Sequence, residues 1–118
     1  MPVSQIGFPG YGIPSGTAAI VVNNQGADYE LVDDDLVGGV YVRMNVALSN
    51  TVTVPADLTM TQPVHITQTG LGTTEIVAAP GVTIQSTDGW RKTRTRYSNL
   101  TLVPIAPNTY DLIGDLAE

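Results

Sequence analysis

From Gly38 onward, apolar and polar residues alternate with a period of two. Val40, Val42, Met44, Val46 and Leu48 fall on one side of an extended chain, and Tyr41, Arg43, Asn45 and Ala47 on the other. That pattern predicts a long, half-buried strand. Val52 and Val54 resume the alternation after the Ser49-Asn50 break. Pro55, which has no N–H to give a ladder, ends it, and Leu58 and Met60 predict a short apolar return. Val64 and Ile66, Ile76 and Ala78, and Val82 and Ile84 predict three further short strands, set apart by Gly70-Leu71-Gly72 and Ala79-Pro80-Gly81. Leu100 and Leu102, then Tyr110 to Ile113 beyond the Ala106-Pro107-Asn108-Thr109 turn, bring the number to about eight, with no stretch of helical period. The expected fold is all-β, a β-sandwich or jelly-roll-like domain over residues 28–118, and no long internal repeat stands out. Threonine and valine suit such pleated surfaces, and the exposed sheet edges favour closed, symmetric self-association.

Residues 1–27 break that rhythm. Pro2, Gly7, Pro9, Gly10, Gly12, Pro14, Gly16 and Gly26 interrupt any period and predict an extended N-terminal arm. Ile6, Phe8, Tyr11 and Ile13 are apolar side chains that a free tail would leave in water, so the arm is expected to dock on a neighbouring subunit or larger surface through these four. Burying each is worth about 1.5–3 kcal/mol against an ordering cost of about 1–2 kcal/mol per residue, so docking has to be cooperative.

At 118 residues the chain has room for a single core. Its 42% hydrophobic content sets it apart from disordered chains, and no apolar run approaches the roughly 20 residues of a membrane span. No membrane partner is expected. Cysteine is absent, which excludes disulfides and thiolate chemistry, and the N-terminus has no basic leader followed by an apolar core. Eleven acidic against five basic residues leave a net charge of −6, which opposes binding to phosphate backbones, so no nucleic acid is expected either. The charges are polarised: Asp28, Glu30, Asp33, Asp34 and Asp35 crowd one segment, and Arg91, Lys92, Arg94 and Arg96 another.

The basic segment is the sharpest candidate. On an extended strand Lys92, Arg94 and Arg96 share one face at about 6.5–7 Å intervals. They are either a solvated, edge-protecting row or a register-setting contact with carboxylates of a partner. Trp90 follows an Asp88-Gly89 turn and suits a core edge, a subunit contact or a sugar-stacking surface. Asp33-Asp34-Asp35 have the wrong spacing for a calcium loop and are expected to form a turn in which an aspartate accepts from backbone amides. His65 is the only histidine and has no elbow serine to serve, and Asp57, Glu75, Asp88 and Asp111 offer no marked pair for glycoside hydrolysis. No catalytic site, metal or cofactor is expected.

Four motifs in order carry a resemblance: Asn50-Thr-Val-Thr-Val-Pro55, the Gln68-x-Gly70-x-Gly72 turn, Gly81-Val-Thr-Ile84, and Asn108-Thr-Tyr-Asp-Leu-Ile-Gly-Asp115. Together, from about Tyr29 to Leu116, they resemble a small all-β module of tailed-bacteriophage virion proteins, found in tail fibres, head fibres and capsid-surface proteins. The resemblance implies a non-enzymatic structural protein and fits a homotrimer. Tyr110 is expected to pack inward, as an aromatic tends to at this place in the related domains. A chain that starts at a methionine and has no coiled-coil heptads or shaft repeat favours a decoration (cement) protein on the outer capsid surface, bound to the major capsid protein, over a head-fibre or tail-fibre component. Folding would take place in the bacterial host cytoplasm.

Overall fold

The computed structural model describes residues 19–59 and 61–118. Among these, eleven strands form two sheets: β1 (Val21–Gln25), β2 (Tyr29–Glu30), β3 (Val40–Met44), β4 (Asn50–Val54), β5 (Val64–Gln68), β6 (Thr74–Ala78), β7 (Thr83–Gln85), β8 (Lys92–Thr93), β9 (Asn99–Ala106), β10 (Thr109–Gly114) and β11 (Leu116–Ala117). Two 3-10 turns, Asp33–Leu36 and Thr87–Gly89, interrupt them, and no α-helix occurs among the described residues. The chain is all-β, as its period of two predicts.

The path is a coil. Strands β1, β3 and β5 pair in parallel in one sheet, and β2, β4 and β6 pair in parallel in the other, so the chain crosses from sheet to sheet with each strand. Val40 lies beside Val64 and Asn50 beside Thr74, each pair 24 residues apart in sequence. This β-solenoid-like arrangement differs from the antiparallel hairpins of a jelly roll, although two sheets still face each other across one core. Only the last part turns antiparallel. The β9–β10 hairpin lies between β5 and β7 in the larger sheet, ordered β1-β3-β5-β9-β10-β7, with β7 parallel to β10 at the edge, and β8 and β11 close the smaller, ordered β11-β8-β6-β4-β2.

Register explains the burial. In the larger sheet Val40, Val64, Leu102 and Leu112 lie side by side and point inward, as do Val42, Ile66 and Leu100. Val52 and Ile76 face them from the smaller sheet. Like residues stacked at like positions give a core of even thickness, with Leu31, Leu36 and Ile84 closing it and Tyr110 packing inward as expected. The predicted strand at 40–48 ends at Met44, and Leu48 lies exposed in the turn that follows.

The corner after the larger sheet decides how close successive coils approach. The turn at 69–73 lies directly beneath the turn at 45–49, with the Gly70 amide donating to Met44 at 3.1 Å and the Gly72 amide to Val46 at 2.9 Å. A Cβ on Gly72 would overlap the Leu48 carbonyl. The glycines are therefore close-approach residues, as the sequence suggests.

The segment 1–27, read as an arm, is divided. Val21–Gln25 forms β1, paired along its whole length with β3. Ile6, Phe8, Tyr11 and Ile13 lie outside the described residues.

Gly72→Ala is expected to cost about 3 kcal/mol, near the top of the usual range for point substitutions, because the clash is with backbone. Gly26→Ala, where an added Cβ meets nothing within 4 Å, is expected to stay within about 0.5 kcal/mol. Urea unfolding of the two variants checks both.

Candidate interaction surfaces

Two polar clusters hold the ends of the coil in place. One is interior. Asn50, Thr74, Gln68, Thr93 and Ser98 are all buried, at the corner end of the core. Thr74 Oγ1 donates to Asn50 Oδ1 at 2.7 Å, the Thr93 hydroxyl donates to Gln68 Oε1, and the Thr74 amide donates to the Thr93 oxygen at 3.0 Å. The amide nitrogens of Asn50 and Gln68 turn to the carbonyls of Leu48 and Gly70, each within 3.1 Å. Every buried amide therefore has a partner, without which each would cost about 1–3 kcal/mol. The cluster ties the two sheets together where the chain crosses between them.

The second cluster closes the first coil. Asp35, buried in the 33–36 turn, accepts from the Tyr29 hydroxyl at 2.7 Å, from Asn23 Nδ2 at 2.9 Å and from the Val32 amide at 3.0 Å. Asn23 is in turn held by Gln25 at 2.7 Å. Asp33 accepts from the Thr59 amide at 2.8 Å, fixing this turn to the next coil. The three aspartates thus form the expected turn with backbone amides as donors. Burial, and then the hydrogen bond to Asp35, push the Tyr29 phenol up to about 12.

The basic segment does not form the expected ladder. Strand β8 lasts only through Lys92 and Thr93, after which the chain turns back at 94–98 to enter β9. Lys92 points outward beside Glu75. Arg94 grips Asp115 with both ends of its guanidinium, at 2.8 and 2.9 Å, and Arg96 donates to the Thr69 carbonyl at 2.9 Å. Arg91 is half-buried and donates to the Ile84 carbonyl at 3.1 Å. The physical reason is local: the Thr95 amide donates to the Ser98 hydroxyl and the Ser98 amide to the Thr95 carbonyl, each at 3.0 Å, which closes a turn beyond Arg94, and the three arginines find acceptors within their own chain. Trp90 is half-buried at the end of a turn in which Asp88 and Gly89 both have positive φ.

The Arg94 fork, and then the Ser98 hydroxyl at 2.7 Å, hold the Asp115 carboxyl below the ordinary aspartate range, while the Arg94 pKa rises. A lowered carboxylate pKa stabilises the turn above the unfolded value and ceases to do so as pH falls through the folded one.

The outer face of the larger sheet carries a row that alternation alone does not show. Val22, Tyr41, His65, Thr101 and Ile113 lie side by side across five strands. The Tyr41 and His65 rings stack with centroids 4.5 Å apart, and His65 Nδ1 lies 3.0 Å from the Thr101 hydroxyl. The histidine is thus held between a ring and a hydroxyl. Of the acids, Glu75 points outward from the smaller sheet and Asp111 from the larger, while Asp57 and Asp88 sit in separate turns. Of these four only Glu75 lines either of the grooves described below. Among the described residues no group of three potential ligands is placed to hold a metal.

Two grooves remain. One, about 440 Å³, is polar and runs over the smaller sheet between Asp28, Thr51, Glu75, Lys92 and Arg94. The other, about 450 Å³, lies at the far end between Leu58, Pro104, Ile105, Pro107 and Tyr110. No family model, curated protein or solved structure matches this chain. The functional reading therefore rests on the chain's own residues.

Two pH experiments follow from these clusters. In an alkaline titration followed by phenolate absorbance, Tyr29 is expected to ionise at about pH 12, and Tyr29→Phe to remove a late-titrating group. Its raised value gives a stabilising contribution that is complete below about pH 10 and lost as pH rises towards 12. On acidification below about pH 4, amide exchange in the 94–98 turn is expected to accelerate, and Asp115→Asn to show the faster rate at neutral pH.

Proposed function

We propose that the protein is a bacteriophage capsid decoration protein, a homotrimer bound to the major capsid protein on the outer surface of the head. Its work is mechanical rather than enzymatic. Packaged DNA loads the shell from within, and a clamp that binds the expanded lattice more tightly than the immature one stabilises the expanded form by that difference in affinity.

The observation that carries this reading is the rigidity of the coil. Each turn is hydrogen-bonded to the next along both sheets, Gly70 and Gly72 leave no slack at the corner, and the Thr93 hydroxyl bridges from the smaller sheet to Gln68 in the larger. Such a body transmits force without changing shape. The resemblance of four ordered motifs to virion modules points the same way. The arm residues Ile6, Phe8, Tyr11 and Ile13 are the proposed capsid anchor, and Trp90 with the 91–96 segment a proposed area of subunit or capsid contact.

A head-fibre or tail-fibre role is the second reading. The outward row centred on Tyr41 and His65 favours it, because a half-exposed pair of stacked rings on a sheet face suits contact with a saccharide.

Quantitative mass spectrometry of purified virions separates the two. Copy number comparable with that of the major capsid protein is the expected outcome. A small fraction would move the protein to a fibre, and its absence from virions would overturn both readings.

A further inference from the structure

Three successive turns, at 45–49, 69–73 and 94–98, stack along one corner of the coil, and each presents an apolar side chain to solvent. Leu48 is 78% exposed, Leu71 75% and Tyr97 62%. These residues are not loose. The 69–73 turn is clamped by Gly70 and Gly72 beneath the Val46 and Leu48 backbone. The Tyr97 amide donates to the Gln68 carbonyl at 2.6 Å, and Arg96 to the Thr69 carbonyl at 2.9 Å. Tyr97 adopts a φ of 70°, a left-handed conformation that is unfavourable for a bulky side chain and persists only where its surroundings impose it. The Arg96 guanidinium stands 5.1 Å from the centre of the Tyr97 ring. A fixed, solvent-exposed Tyr with an Arg beside it is the pairing enriched at interface centres, and the two leucines extend the apolar area around it.

A second patch complements it. The 33–36 turn is anchored from within by the buried Asp35 and Leu36, and on either side of it Val32 is 49% and Val37 51% exposed. Glu30 and Asp34 lie exposed beside them. One surface is apolar with a guanidinium and the other apolar with carboxylates, and the two sit on turns at opposite edges of the sheets.

We propose that the Leu48–Leu71–Tyr97 corner docks on the Val32–Val37 turn of a second copy of this chain, with Arg96 facing Asp34 and Glu30. Each copy offers both surfaces and each surface differs from its partner, so the contact is head-to-tail, and a rotation of one third of a turn per copy closes it into a ring of three. This gives the homotrimer proposed above a specific contact. It is tested on purified protein, so its outcome is separate from that of the virion copy number.

Sedimentation velocity over a concentration series is the experiment. The wild-type chain is expected to assemble, and Arg96→Glu or Asp34→Arg alone to weaken assembly by about a hundredfold, since like charges would then meet at the contact. Combining Arg96→Glu with Asp34→Arg restores opposite charges at every contact and is expected to recover assembly. Leu71→Ser, at an exposed position, is expected to weaken assembly while leaving the unfolding midpoint of the dilute, dissociated chain unchanged. A wild-type chain that stays monomeric at high concentration would overturn the proposal. So would assembly indifferent to Leu71→Ser and Arg96→Glu but lost on Tyr41→Ser, which would give the contact to the outer face of the larger sheet.

Discussion

Neighbouring strands in a sheet lie about 4.7–4.9 Å apart, and in a coil the turns that join the sheets have to keep the same spacing as the strands. Everything else in this protein depends on meeting that condition at the corner. A turn one atom too thick would lift one coil off the next and open the ladder on both sides. Gly70 and Gly72 meet it by leaving out the Cβ where Val46 and Leu48 pass overhead. Gly114 does the same where the chain last crosses from the larger sheet to the smaller, beneath the Asn99 carbonyl.

With that spacing kept, in-register stacking does the rest. Valine over valine and leucine beside leucine make rows that need no adjustment of rotamer from one coil to the next. The same logic governs polar residues: Asn50 beside Thr74 is a row too, and its members satisfy one another because they are brought level. Among the described residues β1 is an edge of the larger sheet, and its inward positions include Asn23 and Gln25, bonded to the network around Asp35. The polar residues thus mark the places where apolar stacking stops.

Alternation made the strands at 40–44, 50–54, 64–68 and 74–78 legible, together with the turns between them and the inward packing of Tyr110. What it left out was which strand lies beside which. Period-two patterns say which face a residue takes but not whether the next strand joins the same sheet, so a jelly roll and a coil read alike. The missing signal was present in spacing: Asn50-x-Val52 and Thr74-x-Ile76 recur after 24 residues, as do Val40-x-Val42 and Val64-x-Ile66. The two pairs are similar in type rather than identical, so the repeat does not stand out as sequence identity. The basic ladder failed for a different reason. An extended chain through Arg96 would make the ladder, whereas the hydrogen bonds between Thr95 and Ser98 and the bidentate Arg94–Asp115 pair turn the chain after two residues. The stacked turns at the corner were beyond reach, because residues as distant as 48, 71 and 97 meet only once the coil is known.

The 24-residue step has a consequence for how such a chain can vary. An insertion of a single residue within a strand would exchange its inner and outer faces, and an insertion of half a step would place a strand in the wrong sheet. A whole step does neither. It lengthens the body by the width of one strand and leaves every row continuous, so duplication of one turn is the variation this architecture accepts most readily. Length in this protein is counted in coils rather than in residues, and its reach from one end to the other can change only in units of that size.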